Sequence, residues 1–155
     1  MPDDVFDRIE RWLTGQAIEH RVLRHAPVFT SAEAAAIRGA PLASGAKALV
    51  CKADGQFAFF VIPADRKLAS KQVRIGRGWK SFRFADRAEV LELTGLTPGA
   101  IPPFGSLFGL KTLCDERLSE QPVINFNAGD HAISISMSCE DYLRVERPEM
   151  GLFAE

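Results

Sequence analysis

The sequence contains no apolar run approaching the roughly 18 residues that a bilayer-spanning helix needs, so no membrane association is expected. Its start, Met1-Pro2-Asp3-Asp4, is acidic where a secretory or transit peptide would be basic, and the expectation is a soluble, cytoplasmic protein. Cysteine is scarce. Cys51, Cys114 and Cys139 are odd in number and far apart, with no Cys-x-x-Cys pair and no histidine at ligand spacing. That pattern argues against a disulfide framework and against structural zinc, and neither metal nor cofactor is expected. Neither sign of charge is in excess: 19 Lys and Arg stand against 20 Asp and Glu. Nucleic-acid binding would therefore have to come from a local patch rather than from a globally basic surface. Also missing are a P-loop, a Gly-x-Ser-x-Gly elbow and a dinucleotide fingerprint, which leaves ATP-driven, serine-hydrolase and NAD chemistry without support.

What is present reads as an ordinary core-forming chain. Hydrophobic residues make up 46% of 155 residues, with eleven Phe against one Tyr, enough for one domain with a strongly apolar interior. Val5, Ile9, Trp12 and Leu13 sit at helical spacing, and Gly15 follows where a left-handed helix end would fall. Arg21 to Arg24 reads as a short strand. Thr30 with Glu33 has capping-box spacing and opens an alanine-rich helix closed near Gly39. Lys47 to Lys52 and Phe57 to Ile62 flank an Asp54-Gly55 turn, the clearest hairpin, and its apolar faces predict central strands. A helix over about Ala69 to Arg77 is expected to bury Leu68, Gln72, Ile75 and Trp79 on one side. A strand follows at Ser81 to Phe84, then a helix from Asp86 to Gly95. Thr97 to Gly109 is a Pro- and Gly-punctuated loop whose Ile101, Phe104, Leu107 and Phe108 give it a core to pack on. Lys111 to Cys114, Val123 to Phe126 and Ala132 to Met137 alternate like sheet, and Glu140 to Leu143 reads as a short helix. The sum is an α/β (α+β) domain over residues 1 to 155, with one mixed, largely antiparallel sheet flanked by helices.

Four features could carry chemistry. Lys47 shares a strand face with Leu49 and Cys51, a cation directed toward an apolar neighbourhood. It is either a strand-end lysine whose ammonium reaches water or a site cation holding a carbonyl or phosphate oxygen. Arg66 to Arg83 holds Arg66, Lys67, Lys71, Arg74, Arg77, Lys80 and Arg83 and no acidic residue. Such a stripe either neutralises backbone phosphates or is a solvated helix face. The Thr97 to Gly109 loop would let a ligand approach its backbone, or is simply structural. Lastly, Asn127-Ala128-Gly129-Asp130-His131 joins two strands and offers an imidazole, although a lone histidine is more often structural. A cysteine nucleophile would need a base, and no histidine is near Cys51 in sequence.

Taken in order, His25-Ala26-Pro27-Val28-Phe29-Thr30-Ser31-Ala32-Glu33, Gly45-Ala46-Lys47-Ala48-Leu49-Val50, Thr94-Gly95 with Pro98 to Gly105, then Asp115 and Ala128-Gly129, resemble one family. It is similar to the YbaK and prolyl-tRNA synthetase-associated editing-domain superfamily, over about Arg21 to Leu143. The resemblance implies a free-standing domain that hydrolyses the ester of mischarged aminoacyl-tRNA, with a small amino acid on tRNA(Pro) or a related tRNA as the expected substrate and a synthetase as a further partner. It implies that Lys47 is the essential side chain. It implies an aminoacyl pocket shaped by Gly99, Ala100, Ile101, Pro102, Pro103, Phe104 and Gly105, with Thr30, Asp115, Gly129 and His131 also lining it. Lys67, Lys71, Arg74, Arg77 and Lys80 would then meet tRNA. Ala48 departs from the asparagine found in the branch that acts on alanyl-tRNA(Pro), whereas other branches act on cysteinyl-, seryl- or threonyl-tRNA. A non-catalytic RNA-binding module is the competing reading, with a small-molecule or peptide binder as a third.

Overall fold

In the computed structural model, residues 4 to 155 are described. Helix α1 (Val5–Gly15) is capped by Asp4, whose carboxylate accepts the Asp7 amide at 2.8 Å, and it buries Ile9 and Leu13. The left-handed turn expected at Gly15 lies two residues later. Ala17 has φ 56°, and the Ile18 amide donates to the Leu13 carbonyl at 2.9 Å. Burial of Ile18 in the same core as Leu13 decides where the chain leaves the helix, and Gly15 remains helical.

Strand β1 (His20–Arg24) leads to α2 (Ser31–Arg38), opened by the complete Thr30–Glu33 capping box and closed by Gly39. Strands β2 (Ala46–Ala53) and β3 (Gln56–Pro63) form the expected hairpin. Asp54 and Gly55 both have positive φ, 49° and 88°, as a two-residue turn matching the strands' twist requires. Helix α3 (Ser70–Gly76) differs from the expected face: Gln72 is exposed, Ile75 is 59% exposed, and Leu68, Ala69 and Val73 are buried. The reason lies at the other end of the chain. Leu68 bridges Ala154, and the Ala69 amide donates to the Phe153 carbonyl at 2.7 Å, so the C-terminal residues fix the helix roll. Then come β4 (Phe82–Phe84), α4 (Arg87–Thr94) with an Asp86–Glu89 capping box, β5 (Lys111–Asp115), β6 (Val123–Asn127), β7 (Ile133–Ser138), α5 (Cys139–Glu146) and β8 (Glu149–Gly151).

The strands form two sheets where the sequence pattern predicted one. A five-stranded mixed sheet has the order β4-β2-β3-β5-β8, with β5 parallel to both β3 and β8. A three-stranded antiparallel sheet has the order β1-β7-β6. Between them lies a core in which Ile124, Phe126, Ile135 and Met137 meet Val61 and Cys114, covered by α1 and α5. Phe104 sits at its centre, edge-on to Trp12, Phe126 and Tyr142. On the opposite face of the three-stranded sheet, register places Leu23, Ser134 and Asn127 in one row and Arg21, Ser136 and Asn125 in the next. That face carries amides and hydroxyls, and α2 lies over it.

Candidate active site

Strand β4 pairs only with Cys51, Lys52 and Ala53 of β2, so the stretch Ala46 to Leu49 has no β4 strand beside it. The Ala85 amide donates to the Val50 carbonyl at 2.9 Å, which places the backbone groups of Val50 on this outer side. By period-two alternation those of Ala48 face the same way. A cavity of about 460 Å³ wraps around the open edge, taking Ala46, Ala48 and Val50 from one side and Lys47, Leu49 and Phe84 from the other. Lys47 does not project into the apolar interior as the alternation with Leu49 and Cys51 predicted. It lies two residues beyond Gly45, which ends the 3-10 turn Leu42–Ser44, is exposed, and makes no hydrogen bond or ion pair with any described residue. A free ammonium thus stands at the cavity wall.

The loop at Pro98, Gly99 and Ile101 lines the same cavity. Gly99 has φ 93°, and a β-carbon there would stand 3.2 Å from the His131 ring. His131 sits behind the loop. Its Nδ1 donates to the Val28 carbonyl at 3.1 Å, its Nε2 meets the Thr97 hydroxyl at 3.0 Å, and its ring lies 4.7 Å from that of Phe29. His131 therefore supports two cavity walls at once while staying outside the lining. Gly129 likewise buttresses from behind, its amide donating to the Ala100 carbonyl at 2.9 Å.

The floor is polar, and spacing alone did not single it out. Asn125 and Asn127 of β6 line the cavity with Ser44 and Arg38. The Asn125 amide donates to Ser44 Oγ at 3.0 Å, and that of Asn127 to the Gly99 carbonyl at 2.7 Å. Arg38 reaches down from the end of α2, donating from Nε to Ser134 Oγ and from Nη2 to Asn127 Oδ1, both at 2.9 Å. Burial lowers its pKa to about 10, which still leaves it charged at neutral pH. The signal available in the sequence was the alternation itself, with Asn at 125 and 127 and Ser at 134, 136 and 138. No described residue of the lining is Asp or Glu, so Lys47 and Arg38 set the sign of the local field.

Of the residues expected to shape the pocket, Lys47, Thr30, Gly99 and Ile101 line it. Thr30 has its hydroxyl engaged by the Glu33 amide. Ala100, Pro102, Pro103, Phe104 and Gly105 are buried behind it. Phe104 fills the core, Pro103 accepts the Tyr142 hydroxyl at 2.7 Å, and Gly105 packs so closely on Thr112 that a β-carbon would fall 2.6 Å from its hydroxyl. Asp115 is fully buried away from the cavity and accepts backbone amides of Arg117, Phe153 and Ala154. Burial explains each displacement: these side chains or backbones already have protein partners.

The three thiols are buried, and burial raises all of them, Cys51 and Cys114 to about 12. A thiol at that pKa carries almost no thiolate at neutral pH and is a poor nucleophile. Native protein at pH 8 is expected to resist a small alkylating reagent and to react at all three positions once unfolded. Rapid labelling of the native state, followed by mass spectrometry, would show instead that the core opens near one of them. Among the described residues, no group of His, Cys, Asp or Glu is placed to hold a metal, and no helix is long and apolar enough to cross a membrane.

The basic segment is bracketed by two cavity residues, Ala64 before it and Phe84 after it. Lys67, Lys71 and Lys80 are exposed without an ion pair to any described residue, and Arg74 is half-buried. Arg77 is engaged, pairing with Glu149 and lying over the rings of Trp79 and Phe153. Arg83 is held by both oxygens of Glu89, whose pKa falls to about 2 through that contact and the Asp86 amide.

This arrangement has relatives. The chain is 37% identical to the multifunctional Ser/Thr-tRNA deacylase ProXp-y of Escherichia coli K12 over 151 residues, 94% of this chain and 90% of that one. A proline–tRNA ligase of Trichlorobacter lovleyi is 32% identical over 87 residues, 56% of this chain and 15% of the ligase. Among solved structures, hypothetical protein APE2540 superposes with a TM-score of 0.86 at 25% identity, covering 96% of this chain and 99% of that one. A candidate trans-editing enzyme for prolyl tRNA synthetase shares the fold with a TM-score of 0.82 at 22% identity, covering 97% of both chains. Residues 25 to 145 match the aminoacyl-tRNA editing domain throughout, and with the ProXp-y likeness over nearly the whole chain they make this protein a member of the aminoacyl-tRNA editing domain family.

Proposed function

We propose that this chain is a trans-acting deacylase that hydrolyses the ester of mischarged aminoacyl-tRNA, with seryl and threonyl esters as its substrates. The observation that carries the reading is Lys47, an unpaired cation on a cavity wall without a described carboxylate, beside an open strand edge and in one cavity with the Gly99 loop. Lys47 would hold the ester or terminal ribose oxygen. The outward Ala48 amide would donate to the ester carbonyl where negative charge develops as water adds. The carbon–oxygen bond to ribose then breaks, a proton passes to the departing ribose oxygen, and free amino acid and tRNA result. No carboxylate or imidazole lines the cavity to act as base, so proton transfer would run through water and the neighbouring ribose hydroxyl held in place by the same contacts.

Choice of a hydroxyl-bearing amino acid has support in the floor, where the Asn125 side-chain oxygen has no partner among the described residues, while its amide, Ser44 and Asn127 are held by protein groups that fix it in place. A site built to hydrogen-bond a hydroxyl rejects an analogue lacking it far better than a greasy pocket rejects an extra methyl. The likeness to a Ser/Thr-tRNA deacylase points the same way. Lys67, Lys71 and Lys80 would contact the phosphates of the tRNA beyond the cavity mouth. A synthetase alongside would fit the partial likeness to a proline–tRNA ligase.

A panel of purified tRNAs charged with serine, threonine, alanine or cysteine tests this directly. Release of serine and threonine is expected to exceed that of alanine by roughly 100-fold or more. Equal release of all four would remove the hydroxyl-recognition argument, and release of none, with tRNA still bound, would favour a non-catalytic RNA-binding module.

A further inference from the structure

A second cavity, of about 340 Å³, shares a wall with the first through Arg38, Ala40, Pro41, Ser44 and Asn125. Its floor is the polar face of the three-stranded sheet, with Arg21, Ser136 and Asn125 in one row and Leu23 and Ser134 in the next. Arg21 adds a second cation, exposed on the edge strand β1. As in the first cavity, no Asp or Glu lines it.

Arg38 is the link. Its Nε and Nη2 donate to neutral oxygens, Ser134 Oγ and Asn127 Oδ1, and Nη1 has no hydrogen-bond partner. Among the described residues no buried side-chain nitrogen or oxygen lacks a partner, so Nη1 is not sealed in the interior and opens onto cavity space. A largely buried guanidinium anchored by two neutral groups, with no carboxylate, retains its whole charge for a ligand.

We infer that the second cavity binds a phosphodiester, the internucleotide linkage next to the aminoacylated 3′-terminal nucleotide of the substrate RNA, held by Arg38 and Arg21 while that nucleotide occupies the first cavity. This rests on the deacylase reading for the identity of the RNA. Physically, it explains how a domain of no net basicity would place an ester against Lys47: the anchoring charge adjoins the reacting cavity, and the first cavity need supply none of the phosphate binding.

The test uses short uncharged single strands with the tRNA 3′-terminal sequence, in which each of the last two linkages is replaced in turn by a neutral methylphosphonate. Wild type is expected to lose roughly tenfold in affinity when the last linkage is neutral and little when the one before it is. Arg38→Gln should lose the same amount with the natural strand and be indifferent to the neutral linkage. Arg21→Gln, at an exposed position, gives the same cycle should Arg38→Gln fail to fold. Wild-type affinity unchanged by a neutral last linkage, or lowered only by the neutral linkage before it, would overturn the inference. So would competition by inorganic phosphate as strong as that of the strand, which would make the cavity a free-anion site. The two readings fail separately: linkage-dependent binding with no ester hydrolysed sinks the deacylase, and hydrolysis with linkage-indifferent binding sinks the phosphodiester site.

Discussion

Lys47→Ala should fold like the wild type and slow amino-acid release by about 100-fold or more, the scale on which a single charge-stabilising group acts at an acyl-transfer centre. The two halves of that expectation have different grounds. Folding is spared because the side chain is exposed and makes no hydrogen bond or ion pair, so truncation removes a stem and a solvated charge, worth within about half a kcal/mol. Turnover is not spared because no other cation of the first cavity can substitute. Arg38, the only other one lining it, is tied to Ser134 and Asn127 on the floor. Single-turnover deacylation of seryl-tRNA, alongside a thermal melt, separates the halves. A variant that melts normally and still hydrolyses at the wild-type rate would remove Lys47 from the mechanism. Lys47→Arg should recover part of the loss if charge is what matters, and none if the compact ammonium must fit between the strand edge and Gly99.

Lys47 also shows what a sequence can and cannot give. The Asp54-Gly55 turn correctly placed Lys47 in a hairpin strand, where it pairs with Ile62, but period-two alternation assigned the residue an apolar environment because Leu49 and Cys51 share its face. The environment changes along that face. Leu49 and Cys51 pack beside Phe60, whereas Lys47 stands where β4 has already ended and the sheet edge is open. Edges are set by which strands pair and for how long, and pairing length is not written locally. The ends of α2 and α4 were legible for the opposite reason: the Thr30–Glu33 box with Gly39, and the Asp86 start with Gly95, are set by contacts within about four residues. Ile75 was misplaced because residues 153 and 154, some eighty positions away, orient its helix. The site's floor was present in the sequence as alternating Asn and Ser, but a polar sheet face usually means solvent. Only the placement of α2 and Arg38 over it converts that face into a cavity wall.

Asp115 is the residue where resemblance and structure make opposing predictions, and Asp115→Ala distinguishes them. As a pocket residue it would matter for turnover; in the structure it is a buried clamp. Its Oδ2 accepts the amides of Phe153 and Ala154, each at 2.7 Å, and its Oδ1 accepts that of Arg117 at 2.8 Å. The two C-terminal residues so held are the ones that position α3: Phe153 packs 5.6 Å from Phe60 and accepts the Ala69 amide, and the Glu155 and Lys67 backbones bond to each other. Alanine would orphan the amides of Phe153, Ala154 and Arg117, at a cost on the order of 4 kcal/mol, and would lower the melting temperature by about 10 °C. Asparagine should do little better, because an amide nitrogen would confront one of the donors that the carboxylate satisfies. The rate of hydrolysis per folded molecule, measured well below the melt, should stay within about threefold of wild type, since the cavity has no contact with Asp115. A variant that melts normally but loses hydrolysis would instead put Asp115 in contact with substrate, and would require the cavity to reorganise on binding RNA.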